Sequence, residues 1–276
     1  MRKLFYLPAL LTLTLGVMAP SADSAETTYK LGVVPQFDAR RIRQVWMPII
    51  ERIKEESGIT LELVGSPSIP EFEKGFTNGD FDFAYMNPYH MLVSHDTQGY
   101  EPIIRDTARK LYGVIVVRKD SPITSVEQLD GQVVALPAPN ALGAALIPRT
   151  EFATRFKIKP EYVYVKSHSS VYLNVLLNKA VAGGGVQKTL SQQRPQVRDN
   201  LRILYETTKV PPHPIAVHPR VPAEIRDAVQ TALLAMMTSA QDSKLLAAIP
   251  IKKAGKASLT DYEELRSMGL ANFYVN

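Results

Sequence analysis

The chain has 276 residues, a formal net charge of +5, 45% apolar residues and no cysteine. The lack of cysteine excludes disulfides, thiolate metal sites, thiol nucleophiles and a lipidated N-terminal cysteine. Basic residues alternate with acidic ones, as where Arg40, Arg41 and Arg43 precede Glu51, Glu55 and Glu56, so the basic stripe that nucleic-acid binding needs is missing, while a mildly positive field suits capture of a small anion.

Residues 1–25 read as a cleaved export leader. Arg2 and Lys3 form a positive start, residues 4–18 are mostly apolar, and small residues at 21–25 offer a cleavage site. The apolar run is shorter than the roughly 20 residues of a spanning helix, which argues against an anchor. The roughly 250 residues that follow suffice for one large domain or two lobes.

Strand-like and helix-like segments alternate from there on, the mark of an α/β fold. Residues 29–34 predict a first strand and 38–56 a helix, with Asp38 as N-cap and Ile42, Val45, Trp46, Ile49, Ile50 and Ile53 on one face. Trp46, the single tryptophan, reads as a core anchor. Residues 61–64 predict a second strand, 69–76 a short helix and 81–86 a third strand.

The stretch 81–91, FDFAYMNPYHM, carries the strongest functional signal. A buried strand ends in Tyr85, Asn87, Tyr89 and His90, with Pro88 placed to open the next helix. Side chains at the carboxyl end of such a strand, beside a helix N-terminus, face the crevice where open α/β sheets bind ligands. His90 and His95, five apart, are poorly spaced for a shared metal.

Residues 111–118 predict a strand leading out of the first lobe, with a crossover nearby. A second α/β series follows: strand 133–136, helix 144–156, strand 162–166, helix 171–179, a glycine-rich strand or turn at 182–186, and strand 201–205. The prolines at 211, 212 and 214 precede a segment, 215–218, that returns to the first lobe, and helices at 222–239 and 259–268 complete it. The expected organisation is lobe one over 26–120, lobe two over 121–207, and a return over 208–276. Two lobes joined by two crossings form a hinged clamshell with a binding cleft.

Four segments carry a family resemblance: YKLGVVP at 29–35, NGDFDFAYMNPYHM at 78–91, SVEQLDGQVVALPAPNALG at 125–143 and VKSHSSVYLNVLLNKAVAGGGV at 165–186. In order and spacing they resemble the phosphate/phosphite/phosphonate periplasmic binding proteins of ABC transporters, the PhnD-like family. The resemblance implies a type II two-lobed fold with mixed sheets flanked by helices, a periplasmic location, no cofactor, and an ABC permease as partner. A sensory alternative, in which the closed form engages a membrane histidine kinase, follows from the uses of some relatives.

By position, the resemblance implies that a ligand's anionic head is held by Tyr85, Asn87 and Tyr89, by Asn140, Ala141 and Leu142 at the first helix of lobe two, and by His168 with Ser169. Helix N-termini offer free donors and a positive dipole end to an anion. Without the resemblance, His168 reads rather as a residue that merely begins the helix beside an N-cap at Ser169 or Ser170. Where the family carries a Ser-Thr-Ser-like cluster, this chain has Asn140-Ala141-Leu142-Gly143, so either other donors replace the hydroxyls or the ligand differs. Lys188 and Thr189 after the glycines of GGGVQKT, His213 in the returning segment, and Gln36 after the first strand are candidates, while Asp38 reads equally as a cap.

Chemistry finds little support. The chain contains no G-x-S-x-G elbow, no phosphate loop, no H-E-x-x-H and no G-x-G-x-x-G. The reading is a non-catalytic binder of a small oxyanion. An aminoalkyl phosphonate would want a carboxylate for its amine, and the sequence names none at a cleft position.

Overall fold

The computed structural model describes Met1 and residues 27–275; the leader expected over 1–25 therefore lies, Met1 apart, outside the described residues. The first lobe opens with β1 (Thr28–Val33), α1 (Ala39–Ser57), β2 (Thr60–Val64), α2 (Ile69–Thr77), β3 (Phe83–Tyr85), α3 (Pro88–Gln98) and β4 (Glu101–Asp106). The second contains β5 (Gly113–Arg118), β6 (Val133–Leu136), α4 (Ile147–Glu151), β7 (Glu161–Tyr164), α5 (His168–Leu176), β8 (Ala182–Val186), α6 (Gln187–Ser191), α7 (Pro195–Arg198) and β9 (Leu201–Glu206). The chain then returns through β10 (Ile215–Val217), α8 (Ala223–Ala235), α9 (Ala240–Ala248) and β11 (Ala254–Lys256), and ends in 3₁₀ turns.

Both sheets are mixed. The first runs β11-β4-β10-β3-β1-β2, with β1 parallel to β2 and β3 and with β10 antiparallel to β3 and β4. The second runs β7-β6-β8-β5-β9, with β6 parallel to its neighbours and β5 antiparallel to β8 and β9. This is the layout of a type II periplasmic binding fold.

Local chemistry starts the helices where the sequence suggests. Asp38 accepts from the Arg41 N–H at 3.0 Å to open α1, and Gly58, at φ 73°, closes it. Trp46, Ile49, Ile50 and Ile53 form its buried stripe, and the Trp46 ring lies 5.1 Å from that of Tyr85. Ser68 caps α2 and Asn87 caps α3, each directly before an apolar or proline start that the core holds in place.

The crossing lies earlier than the sequence places it. β5 belongs to the second sheet, so the chain leaves lobe one between β4 and β5 rather than near residue 120. The β-branched run of β5 marks a strand buried on both faces but carries no label for which sheet it joins. The outgoing and returning crossings run antiparallel beside each other, with Leu111 and Val210 exchanging both backbone hydrogen bonds at 2.9 and 2.8 Å. β4, α9 and β11 were not anticipated, and the helix expected over 259–268 is a series of 3₁₀ turns.

The helix predicted over 144–156 is composite: α4 is flanked by π turns at Leu142–Leu146 and Phe152–Phe156. Pro148 supplies no N–H to the preceding turn, whose carbonyls face the sheet. Glycines accept them there. A Cβ on Gly184 would stand 1.9 Å from the Ala144 carbonyl oxygen, and one on Gly113 would stand 1.8 Å from that of Gly143.

Candidate ligand-binding site

The loops at the carboxyl ends of β1, β3, β6 and β8 meet the returning crossing between the lobes. There Gln36, Asn87, Ala141, Leu142, His168 and His213 line one cavity, together with Val34, Ile69, Gly143, Ala144 and Val186. The lobes are drawn together over it and leave about 20 Å³ free, room for one water.

Its donors are neutral. Leu142, Gly143 and Ala144 begin the π turn, no side chain caps it, and their first-turn N–H groups are the ones a helix leaves without internal acceptors. His168 is the first residue of α5, and Ser167, rather than Ser169 or Ser170, is the N-cap, accepting from the Ser170 N–H at 3.2 Å. His168 Nδ1 lies 3.2 Å from Thr189 Oγ1, which is also 2.7 Å from the Tyr172 hydroxyl and 2.9 Å from the Val186 carbonyl. Thr189 has one hydroxyl proton: given to the Val186 carbonyl, it leaves Oγ1 to accept from His168 Nδ1–H, and given to Nδ1, it leaves the imidazole proton on Nε2, the edge left for the cavity and the arrangement that an anion there would favour.

Burial lowers His168 to about 4, so the ring is uncharged at neutral pH. His213 is lowered further, to about 3, by burial first and then by the neighbouring His90 and His168. Its Nε2 is 3.3 Å from the Gln36 amide nitrogen, and its ring stacks on Tyr85 with centroids 5.3 Å apart. An oxyanion is larger than the one water this space holds, so it enters only with the lobes set slightly further apart, and it then meets backbone N–H groups, two neutral imidazoles and an amide.

The other expected residues stand off this wall. Tyr85 is buried beneath His213, and its hydroxyl has no hydrogen-bond partner among the described residues. Tyr89 packs on Tyr274 with ring centroids 5.4 Å apart. Ser169 accepts from Gln193 Nε2 at 3.3 Å. The Asn140 side chain is fully engaged: Nδ2 donates to Glu73 Oε2 at 3.1 Å and to the Val275 carbonyl at 2.7 Å, while Oδ1 accepts from the Val275 N–H at 2.9 Å. Thr189 acts behind His168. His90 Nε2 pairs with Glu73 Oε1 at 2.8 Å, whereas His95 Nδ1 meets the Tyr100 carbonyl at 3.0 Å, so the two histidines serve separate contacts.

A family model for ABC-transporter phosphonate periplasmic substrate-binding proteins matches residues 31–262. The chain belongs to that family. Among solved structures, a binding-protein component of an ABC phosphonate transporter from Pseudomonas aeruginosa superposes with a TM-score of 0.82 at 14% identity, covering 88% of this chain and 86% of that one. PhnD1 from Prochlorococcus marinus, in complex with methylphosphonate, gives 0.79 at 12% identity, covering 90% and 99%. A Xanthomonas citri protein bound to ATP gives 0.70 at 19% identity, covering 89% and 98%. No curated protein sequence matches the chain significantly.

For this phosphonate-binding family member, the glycine triplet has a structural role. Its residues approach other parts of the protein and not the cavity: Gly184 meets Ala144, and a Cβ on Gly185 would stand 2.0 Å from the Tyr172 hydroxyl. Missed in the sequence were Ile69, Gly143, Ala144 and Val186, apolar or side-chain-free residues that serve by wall or backbone. Also missed were the bases of the outgoing crossing, Arg109 and Lys110, which line a second space described below. Placing the crossing at its true position would have found them.

Proposed function

We propose that this periplasmic substrate-binding protein captures a phosphonate-class oxyanion between its lobes and delivers it to an ABC permease, without transforming it. The observation that carries the reading is the convergence of Leu142, Gly143 and Ala144, at the uncapped start of the π turn, with His168, His213 and Gln36 on one interlobe cavity. The leader then directs the chain to the periplasm and is cleaved. The family match supports transport, and nothing in it favours the partner role with a histidine kinase.

Neutral donors can hold an anion because they are fixed before it arrives. Charge-assisted hydrogen bonds are worth about 1.5–3 kcal/mol each, and several together support micromolar affinity or better. The missing hydroxyl cluster is offset in this reading by Gln36 and His213, which approach from the opposite lobe and the crossing. Tyr85, Tyr89, Asn140, Ser169 and Thr189 act by supporting this arrangement.

Calorimetry of the mature protein, unfolded and refolded to remove carried ligand, tests the proposal with phosphate, phosphite, methylphosphonate, aminoethylphosphonate and sulfate. Saturable 1:1 binding of a phosphorus oxyanion supports it. Silence across the panel from folded protein would refute it.

A further inference from the structure

Beside the small cavity, and sharing Gln36, Val186 and His213 with it, lies a chamber of about 400 Å³ between the outgoing crossing and α6. Three cations line it, Arg109, Lys110 and Lys188, and none of its lining residues is Asp or Glu. We propose that this chamber is a second ligand subsite, and that the protein's ligand is a phosphonate whose short tail ends in a second anionic group. This rests on the reading of the first cavity as the head-group site.

Each cation is held ready. Asp106 is fully buried and accepts from the backbone N–H groups of Ala108, Lys252 and Lys253 as well as from Arg109 Nε at 2.9 Å. That carboxylate fixes the Arg109 guanidinium through one nitrogen, and the two terminal nitrogens have no partner among the described residues. Lys110 has no side-chain partner among them either, and its carbonyl accepts from Gln187 Nε2 at 3.2 Å, which ties the crossing to α6. Lys188 Nζ donates to the Ala247 carbonyl at 3.3 Å, a contact between the lobes.

Two of these charges, Lys188 and Arg109, oppose each other. Lys188 is held below the usual lysine range by burial and then by repulsion from Arg109 and Arg41. Arg41 itself stacks over Phe37, another wall of the chamber, 4.3 Å from the ring centroid. An anion placed among them would relieve that repulsion and gain charge-assisted bonds. An ammonium tail would add a further like charge, so aminoalkyl phosphonates are selected against. Gln187 Oε1, buried and without a hydrogen-bond partner among the described residues, belongs to a residue of this lining and is open to a hydroxyl on the tail.

The test compares methylphosphonate, 3-phosphonopropionate and 2-aminoethylphosphonate on the refolded protein by calorimetry. 3-Phosphonopropionate is expected to bind at least about tenfold more tightly than methylphosphonate, and 2-aminoethylphosphonate more weakly than either. Lys110→Gln, at an exposed and unpaired side chain, should lower the ratio of 3-phosphonopropionate to methylphosphonate affinity at least about threefold, and high salt should compress the same ratio. Methylphosphonate binding without preference for the acidic tail would overturn the subsite and leave the head-group site standing. No binding of any of the three by folded protein would overturn both.

Discussion

Asn87 in the first lobe donates from Nδ2 to the backbone carbonyl of Asn140 in the second, across 3.2 Å and with both residues buried. The same Asn87 accepts through Oδ1 from the N–H groups of Tyr89 and His90, so one amide caps α3 and joins the lobes. Asn140 continues the link through Glu73 and Val275. Asn140, where the family resemblance implies hydroxyls, is thus a closure contact, and in the proposed site the ligand-facing work falls to the backbone that follows it.

Asn140→Ala should therefore favour the open form. The side chain loses three hydrogen bonds, two of them to the Val275 backbone, and affinity should fall by about 1–2 kcal/mol with the pocket's own donors unchanged. Small-angle scattering of the unliganded variant should show a larger radius of gyration than wild type. Equal radii and equal affinity would remove the closure role.

Thr189→Val should weaken binding by more than about 1 kcal/mol although Thr189 does not line the small cavity. The valine leaves His168 Nδ1 and the Tyr172 hydroxyl without their shared partner, while Thr189→Ser should restore most of the affinity. His168→Ala should cost at least as much. Titration of the oxyanion into each variant, with circular dichroism to confirm the fold, reads this out.

Tyr89→Phe should leave affinity unchanged, because Tyr89 meets Tyr274 through its ring and stands off the cavity wall. A loss above about 1 kcal/mol would show that its hydroxyl reaches the ligand after all.

Acid should destabilise the unliganded protein. His168 and His213 are lowered from 6.5 to about 4 and about 3, so between those values and 6.5 the unfolded chain binds protons that the folded chain refuses. Stability is then fully present above pH 6.5 and falls as pH drops toward 4, by on the order of 3 kcal/mol for each histidine at pH 4. Urea midpoints from pH 7.5 to 4.5 should decline, and His213→Gln should flatten the slope.

Gly184→Ala should cost at least about 2 kcal/mol or abolish soluble expression, because the added Cβ would stand 1.9 Å from a backbone oxygen that cannot swing away. A freely tolerated alanine would mean that the composite helix shifts easily over β8.

Much of this was legible from residue pattern. The stripe of α1, the Asn87-Pro88 start of α3 and the glycine-flanked second series each state their local structure through capping and periodicity, and together with the spacing of the four motifs they point to two lobes and a cleft. The site was harder to read, because its donors are partly backbone N–H groups that any residue supplies, and Ala141, Leu142 and Gly143 have no polar side chain to reveal them. Asn140 and Lys188 drew notice by polarity, yet the direction of a side chain is set by packing: Asn140 turns to Val275, and Lys188 to the larger chamber. Sheet membership of β5 was not readable, since its apolar run fits the centre of either sheet.

The most direct test of the account is a crystal structure of the refolded protein with methylphosphonate. Phosphonate oxygens are expected within hydrogen-bond distance of the Leu142, Gly143 and Ala144 N–H groups and of His168 Nε2, with the methyl directed toward the larger chamber. Phosphorus bound instead among Arg109, Lys110 and Lys188, with the π-turn N–H groups unliganded, would contradict it.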